Sequence, residues 1–205
     1  MVILAIDTAT DAATAALVLD GEVLGERRSR AVTILEDCDA LLRQGGVHDR
    51  GLDALAVGVG PGSFTGLRMG LATVRAIAFA RDLPVAGHST LAALAAGAEG
   101  ALPVIDARRR EVFTLAADGE PVVLGPAELD GVDGRLCIGD GAVRYRETLE
   151  ARGATVPPDD DPRHVPWARH HALFAKDFGP AEAAEVDARE RLHARTVRSA
   201  SGTRR

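Results

Sequence analysis

A buried strand, a glycine-rich loop and a helix follow one another between residues 52 and 80, and this unit constrains the fold most. Leu52 to Val59 is too apolar for a strand with one face in water. The loop Gly60-Pro61-Gly62-Ser63-Phe64-Thr65-Gly66 follows, and a helix opens at Leu67 and continues to about Ala80. A fully apolar strand that feeds a helix through a tight loop is typical of α/β proteins. We therefore predict an α/β fold.

The residues before the loop predict three strands and a helix. The strands are Val2 to Ile6, Ala13 to Leu19 and Glu22 to about Arg28, and the helix is Val32 to Gln44. After residue 80, Pro84 to Ala86 predicts a strand, and Ser89 is the expected N-cap of a further helix. The order β-β-β-α-β-α-β-α occurs in the ribonuclease H-like lobe of actin-like folds. By analogy, we predict a mixed sheet with helical crossovers.

The second half of the chain predicts a separate, smaller lobe. We expect strands between Leu102 and Leu124, with a hairpin turn at Asp118-Gly119, and one more strand at Arg135 to Ile138. Helices are predicted at Ala142 to Ala151 and at Trp167 to Phe178. The predicted lobes are thus residues 1–100 and 101–190, with the C-terminal helix in the second. A basic tail, 191–205, is predicted to be disordered.

Composition restricts the classes of function. The net charge of -6 argues against a wide surface that grips a phosphate backbone, so a partner should hold any nucleic acid. Aromatic residues make up only 3% of the sequence, which argues against a platform on which the bases of single-stranded nucleic acid could stack. Cys38 and Cys137 are far apart and indicate neither a zinc site nor a disulfide, which fits a reducing cytoplasm. The N-terminus indicates neither a signal peptide nor a membrane span.

The glycine loop has two interpretations. Its glycines can expose N–H groups at the start of a helix, where an anion could bind. The residues that could contribute to such a site are Gly62, Ser63, Thr65, Gly66 and Arg68. The loop is not a P-loop, because no lysine follows its last glycine. The other interpretation is a tight turn in which Gly66 and Gly70 allow the helix to pack closely.

Few other residues suggest catalysis. Asp7 and Thr8 end the first strand, where an actin-like ATPase would place its first acidic residue, but no glycine follows them. Asp7 could instead accept hydrogen bonds from the loop backbone. Asp106 and Arg108 should face the cleft between the lobes, where they could bind a ligand or pair with each other. His170 and His171 cannot share one metal ion and are expected at solvated helix positions.

An ordered set of segments resembles the bacterial TsaB family of tRNA threonylcarbamoyladenosine biosynthesis proteins. The segments are Leu4-Ala5-Ile6-Asp7-Thr8-Ala9-Thr10, the glycine loop continued through Leu67-Arg68-Met69-Gly70, His88-Ser89-Thr90-Leu91, and Ile105-Asp106-Ala107-Arg108. The resemblance covers residues 1 to about 125. It implies an actin-like (ASKHA, ribonuclease H-like) two-lobed fold with mixed β-sheets. It also implies that the metal-binding histidines of the catalytic paralogue, TsaD, are missing.

The resemblance further implies a function. The chain would pair with TsaD and, together with the small ATPase TsaE, support transfer of a threonylcarbamoyl group from threonylcarbamoyl-AMP to N6 of the adenosine 3′ of the tRNA anticodon. It would be non-catalytic and have no cofactor of its own, since the metal ion and ATP would be bound by partner subunits. The chain would come into contact with tRNA through the complex.

In the family the partner is bound by helices of the first lobe, which correspond here to Val32 to Gln44 and Leu67 to Ala80. The apolar residues that we expect at this contact are Ile34, Leu35, Cys38, Leu41, Leu42, Leu67, Leu71, Val74 and Ala78. The chain departs from the family pattern at Arg30 and Glu36, where a His and a Pro are common. It also departs near the C-terminus, where Glu190 to Arg195 replaces a Pro-x-Tyr-Leu-Arg strand.

Two alternatives remain open. The chain could be an independent enzyme, either an actin-like ATPase or a glycoprotease-type metallohydrolase, as Asp7 and the glycine loop suggest. It could also be a homodimer, because an apolar face that awaits a partner can pair with its own copy.

Overall fold

A computed structural model describes residues 1–47 and 51–180. Its first sheet has five strands in the order β3-β2-β1-β4-β5. In chain order the strands are β1 (Val2–Asp7), β2 (Ala13–Leu19), β3 (Glu22–Ser29), β4 (Ala54–Gly58) and β5 (Val85–His88). The first three pair antiparallel, whereas β4 pairs parallel to both β1 and β5. The predicted mixed sheet is confirmed.

Three helices follow the predicted order: α1 (Ile34–Gln44), α2 (Phe64–Arg81) and α3 (Thr90–Ala95). A single 3-10 turn, Ala31–Thr33, precedes α1. The helix α2 begins at Phe64 rather than Leu67, because the Ser63 hydroxyl accepts a hydrogen bond from the Gly66 amide and caps the helix. Ser89 caps α3 in the same way, as predicted.

The main apolar core lies between the first sheet and the helices α1 and α2. Leu4, Ile6 and Leu55 from the strands and Leu41 and Val74 from the helices belong to one buried cluster. Strand residues alternate between the two faces of a sheet, so the large apolar side chains of β1 and β4 point toward these helices. The opposite face carries mostly alanines, together with Ile3 and Val18.

The second lobe contains two small sheets. The strands β7 (Ile105–Arg108), β8 (Glu111–Leu115) and β9 (Pro121–Leu124) form an antiparallel meander, and β6 (Leu102–Pro103) pairs parallel to β10 (Cys137–Ile138). The predicted hairpin turn at Asp118-Gly119 is confirmed, since the Gly119 amide binds the Ala116 carbonyl. The predicted helix from Ala142 to Ala151 is two short helices, α4 (Asp140–Arg144) and α5 (Arg146–Glu150), separated at Tyr145.

The last described helix, α6 (Ala168–Phe174), corrects one prediction. The sequence predicts this helix in the second lobe, but it packs on the first sheet, against β1, β2 and β4. Ala168 and Ala172 of α6 are buried in a cluster with Ala5, Ala16 and Ala56 of the sheet. These small side chains let the helix approach the sheet closely. The remaining domain boundaries stay predictions, and the predicted tail and the departure at residues 190–195 lie outside the described residues.

None of the helices in the described ranges is long and apolar enough to cross a membrane.

Candidate functional site

A cleft with a cavity of about 730 Å³ lies between the glycine loop and the hairpin formed by β7 and β8. Its wall combines residues from both lobes, and most of them are polar or charged. The polar residues that line it are Thr10, Asp11, Ser63, Thr65, Asp106, Arg108, Arg109, Glu111 and Asp140. Gly62 also lines the cleft. The structure therefore brings much of the predicted anion site to one place.

The glycine loop packs against the end of β1. The Ser63 amide donates to the Ala9 carbonyl at 2.7 Å, and a Cβ on Gly62 or on Gly66 would overlap backbone atoms of Ala9 or Thr8. The amide of Gly66 is also bound, by the Ser63 hydroxyl. Several donors that could have faced an anion are thus used within the chain. The geometry favours the packing interpretation of the loop, and anion binding by Gly62, Ser63 and Thr65 stays a prediction.

Gly66 and Arg68 take no part in the wall of the cleft. Gly66 is buried, and Arg68 lies over the ring of Phe64, 4.7 Å from its centroid. Gly66, whose amide is bonded to Ser63, is closed off from the cleft. A contribution of Arg68 to an anion site stays a prediction. Arg68 is exposed, and the Phe64 ring on which it lies is itself part of the cleft wall.

Asp7 is fully buried and enclosed by donors. Its carboxylate accepts from the Ala9 amide at 2.8 Å and from the Thr90 hydroxyl at 2.9 Å, and Nε2 of His171 lies 2.7 Å from its Oδ2. The Thr8 hydroxyl donates to the Gly66 carbonyl at 2.7 Å. The prediction that Asp7 and Thr8 contact an anion or nucleotide is therefore wrong for this conformation. The interpretation of Asp7 as an acceptor for loop backbone is confirmed.

The prediction of solvated positions for His170 and His171 on α6 is wrong. His171 is 0% exposed and reaches Asp7 from the far end of the chain. His170 is half-buried and stacks on Phe174. Burial, followed by the nearby charges of Arg169 and His171, lowers the pKa of His170 to about 4. No local pattern in the sequence indicates that His171 and Asp7 meet, because the sheet brings them together.

Asp106 and Arg108 form the predicted ion pair, with Nη1 of Arg108 3.2 Å from Oδ2 of Asp106. Arg108 also spans the cleft, where its Nη2 lies 3.0 Å from Oδ1 of Asp11 in the first lobe. A second arginine, Arg144, lies 3.4 Å from the Asp106 carboxylate. The charge of Asp11, more than that of Asp106, raises the pKa of Arg108. The ligand-binding interpretation of Asp106 and Arg108 is a prediction that stays open.

Asp140 adds a third carboxylate to this side of the cleft. Its Oδ1 accepts from the Asp106 amide at 3.0 Å. Burial raises the pKa of Asp140 to about 6, and the charges of Asp106 and Asp11 act in the same direction. Sequence reasoning missed Asp140, because its place beside Asp106 depends on the parallel pairing of β10 with β6.

The predicted partner-binding residues are mostly internal. Burial leaves little or no exposed surface on most of them: Ile34, Cys38, Leu41, Leu67, Leu71, Val74 and Ala78. Leu42 is partly buried against the same core, and only Leu35 is well exposed. The prediction is wrong for the buried set, since the apolar stripe of each helix packs on the sheet of its own lobe. Burial also raises the pKa of the Cys38 thiol to about 12.

A different apolar surface is exposed on the same elements. Val32 of the 3-10 turn is 73% exposed, Leu35 of α1 is 58% exposed, and Phe79 of α2 is 93% exposed. Ala72 and Ala76 are also exposed, and with Phe79 they follow the helical spacing of one side of α2. We call Val32, Leu35, Ala72, Ala76 and Phe79 the outer helical face.

The side chains of the described residues offer no group of three or more His, Cys, Asp or Glu arranged to hold a metal ion.

The mixed first sheet, the helices on both of its faces and the cleft toward a smaller lobe define an actin-like α/β protein. A family model described as "TsaD: tRNA N6-adenosine threonylcarbamoyltransferase" matches residues 26–136. The solved structure "YeaZ from Pseudomonas aeruginosa" superposes with a TM-score of 0.71 at 30% identity, covering 89% of this chain and 97% of that one. The chain belongs to the TsaB/YeaZ family.

Curated relatives agree with this assignment. The "tRNA threonylcarbamoyladenosine biosynthesis protein TsaB" of Haemophilus influenzae is 41% identical over 123 residues, which is 55% of this chain and 52% of that protein. The protein of the same name in Escherichia coli is 41% identical over 126 residues, covering 55% and 53% of the two chains. The matched region thus spans about half the length of these relatives.

The fold is also shared more widely. The activator of the 2-hydroxyisocaproyl-CoA dehydratase from Clostridium difficile superposes with a TM-score of 0.52 at 12% identity, over 93% of this chain and 98% of that one. At this identity the likeness concerns the fold alone.

Proposed function

We propose that this chain is a non-catalytic subunit in the biosynthesis of threonylcarbamoyladenosine in tRNA. It binds a TsaD-type partner and activates the transfer of the threonylcarbamoyl group from threonylcarbamoyl-AMP to N6 of the adenosine 3′ of the anticodon. The partner subunits, TsaD and the ATPase TsaE, bind the metal ion and ATP. The observation that carries the proposal is the outer helical face, taken together with the names of the relatives.

The outer helical face has the chemistry of a protein-binding surface. Phe79, at 93% exposed, is a large aromatic side chain in water, and Val32 and Leu35 add two more aliphatic groups. Aromatic side chains are enriched at the centre of protein interfaces, where a few of them contribute most of the binding free energy. Burying these side chains against a partner removes apolar area from water and stabilises the complex.

The alternative of an independent ATPase loses its main support. That alternative is motivated by the glycine loop and by Asp7 as the acidic residue beside a nucleotide phosphate. The Asp7 carboxylate faces Ala9, Thr90 and His171 and is closed to solvent. A homodimer through the outer helical face is a competing outcome, and the experiment below separates it from the heterodimer.

The direct test is reconstitution of the modification with purified TsaD, TsaE, tRNA and the threonylcarbamoyl donor, with and without this chain. We expect formation of the modified adenosine to depend on the chain, as measured by nucleoside mass spectrometry. Modification at the same rate without the chain would contradict the proposal. Light scattering of the chain alone and with TsaD distinguishes a homodimer from a heterodimer.

Substitutions on the outer helical face should separate partner binding from folding. Phe79→Asp or Leu35→Asp should lower the affinity for TsaD by at least about 30-fold, since a buried interface anchor contributes about 2 kcal/mol or more. Thermal unfolding of the free chain should hardly change, because both side chains lie in solvent. Leu71→Asp and Val74→Asp are unsuitable, because those residues lie in the core and the variants would unfold.

A matched control is Leu173→Asp on α6. Leu173 is 43% exposed and also apolar, but it lies on a different element. This variant should bind TsaD normally. Equal loss of binding in the control and in Phe79→Asp would show that the outer helical face is not the contact.

A further inference from the structure

The turn between β7 and β8 has an unusual backbone. Arg108 pairs with Glu111, so Arg109 and Arg110 form a hairpin loop of minimal length. All of Arg108, Arg109 and Arg110 have positive φ, at 63°, 54° and 65°. Positive φ at both loop residues is the pattern of a type I′ turn, which normally contains Asn-Gly or Asp-Gly.

Arginine is energetically unfavourable at positive φ. A Cβ crowds the neighbouring carbonyl in the left-handed region, so consecutive non-glycine residues there raise the free energy of the folded chain. Such unfavourable positions persist where the surrounding structure fixes them, and they cluster at functional sites. The turn therefore indicates that the arginine side chains themselves are used.

The three arginines are held differently. Arg108 is fixed by the Asp106 and Asp11 carboxylates, and its amide donates to Asp106 Oδ1 at 3.0 Å. Arg109 and Arg110 are exposed, and within residues 1–47 and 51–180 neither makes an ion pair or a side-chain hydrogen bond. Arg109 lines the cleft, while Arg110 lies at the tip of the hairpin. Arg108 is thus held by two carboxylates, whereas the guanidinium groups of Arg109 and Arg110 have no such partner among the described residues.

We propose that Arg109 and Arg110 contact phosphate groups of the RNA backbone. The inference rests on the proposed function, which brings tRNA to the assembly. A guanidinium group binds a phosphate through two parallel N–H donors, and a two-residue turn keeps the two arginines close together. The net charge of -6 limits this to a local contact of two arginines, with the partner providing most of the surface for RNA.

The test measures NMR signals of the arginine side chains while tRNA is added. The full chain, labelled with ¹⁵N, is titrated with an unmodified tRNA transcript at about 50 mM salt, and the arginine Nε–Hε resonances are observed. Resonances of Arg109 and Arg110 are assigned from Arg109→Lys and Arg110→Lys. We expect these two signals to shift in a saturable way, while polyglutamate, a carboxylate polyanion, shifts them much less.

The variant Arg109→Asn/Arg110→Gly separates function from structure, because it installs the residues that the turn prefers. It should raise or preserve the melting temperature and weaken binding of tRNA at least about fivefold, with a smaller salt dependence. The control Arg28→Asn/Arg43→Asn removes the same charge from exposed positions elsewhere and should weaken binding less.

Three results would overturn the inference: no shift of the two arginine signals, equal binding of polyglutamate, or unchanged tRNA affinity in the Asn-Gly variant. None of them bears on whether modification depends on the chain. The proposed function fails instead if the reconstituted reaction does not need the chain. Phe79→Asp should leave the arginine shifts unchanged, since it lies on the outer helical face.

Discussion

His171 and Asp7 are 164 positions apart and form a buried contact in the first lobe. Both side chains are fully buried, and Asp7 also accepts from the Thr90 hydroxyl, which in turn accepts from the Gly60 amide at 3.2 Å. The contact therefore ties α6 and the glycine loop to the end of β1. A buried carboxylate is costly unless donors surround it, so each donor matters.

His171→Ala should destabilise the chain by about 3 kcal/mol, because it removes a hydrogen-bond partner of the buried Asp7 side chain and leaves a cavity. Urea unfolding measures the change. Asp7→Asn in the His171→Ala background should recover part of the loss, since it removes the buried charge. His170→Ala, at the half-buried neighbour, is the control with a smaller expected effect. A loss below about 1 kcal/mol in His171→Ala would show that the contact contributes little.

At the scale of elements, the helix α2 owes its position to two glycines. A Cβ on Gly66 would overlap the Thr8 carbonyl, and a Cβ on Gly70 would overlap the Thr8 hydroxyl. The Thr8 hydroxyl cannot simply turn away, because it donates to the Gly66 carbonyl. The glycine loop and the start of α2 therefore act as one packing unit on the end of β1.

Gly70→Ala should destabilise the chain by about 2 kcal/mol, although alanine is the better helix former. The added methyl group has no space beside Thr8. Denaturant unfolding gives the value, and Ala72→Ser, at an exposed position of the same helix, should have little effect. Thr8→Ala should relieve part of the cost when combined with Gly70→Ala. A stabilising Gly70→Ala would contradict the close packing.

At the scale of the whole molecule, two contacts between the lobes within the described residues can be compared. One is the pair of Arg108 and Asp11 across the cleft, whose side chains are 56% and 79% exposed. The other is an apolar cluster in which Leu91 and Leu94 of α3 are buried with Ile105 and Phe113 of the second lobe. Exposed ion pairs contribute little, whereas buried leucines contribute several kcal/mol, so the apolar cluster should hold the lobes together.

A double-mutant cycle tests this difference. Asp11→Asn and Arg108→Gln should show a coupling free energy below about 1 kcal/mol in urea unfolding, since both side chains are well solvated. Leu94→Ala should instead cost about 3 kcal/mol. A coupling energy comparable with the cost of Leu94→Ala would show that the ion pair across the cleft determines how the lobes are joined.

Most of the elements could be predicted from the sequence, because their signals are local. Alternation and apolar runs define the strands β1 to β4, and Ser63 and Ser89 mark helix starts by their hydroxyl groups. Because these signals are local, they also explain why most of the residues predicted to bind a partner on α1 and α2 are buried in the core instead. An apolar stripe on α1 or α2 shows that one side of the helix is buried, but it does not say against what.

The sequence by itself determined the mixed sheet and the family, since periodicity, turns and ordered motifs lie within short stretches of chain. Only the tertiary structure decided which apolar side chains of α1 and α2 are core and which form the outer helical face. It also decided that His171 meets Asp7 and that α6 covers the first sheet. These contacts join residues far apart in sequence, and their partners are selected by the packing of the whole chain.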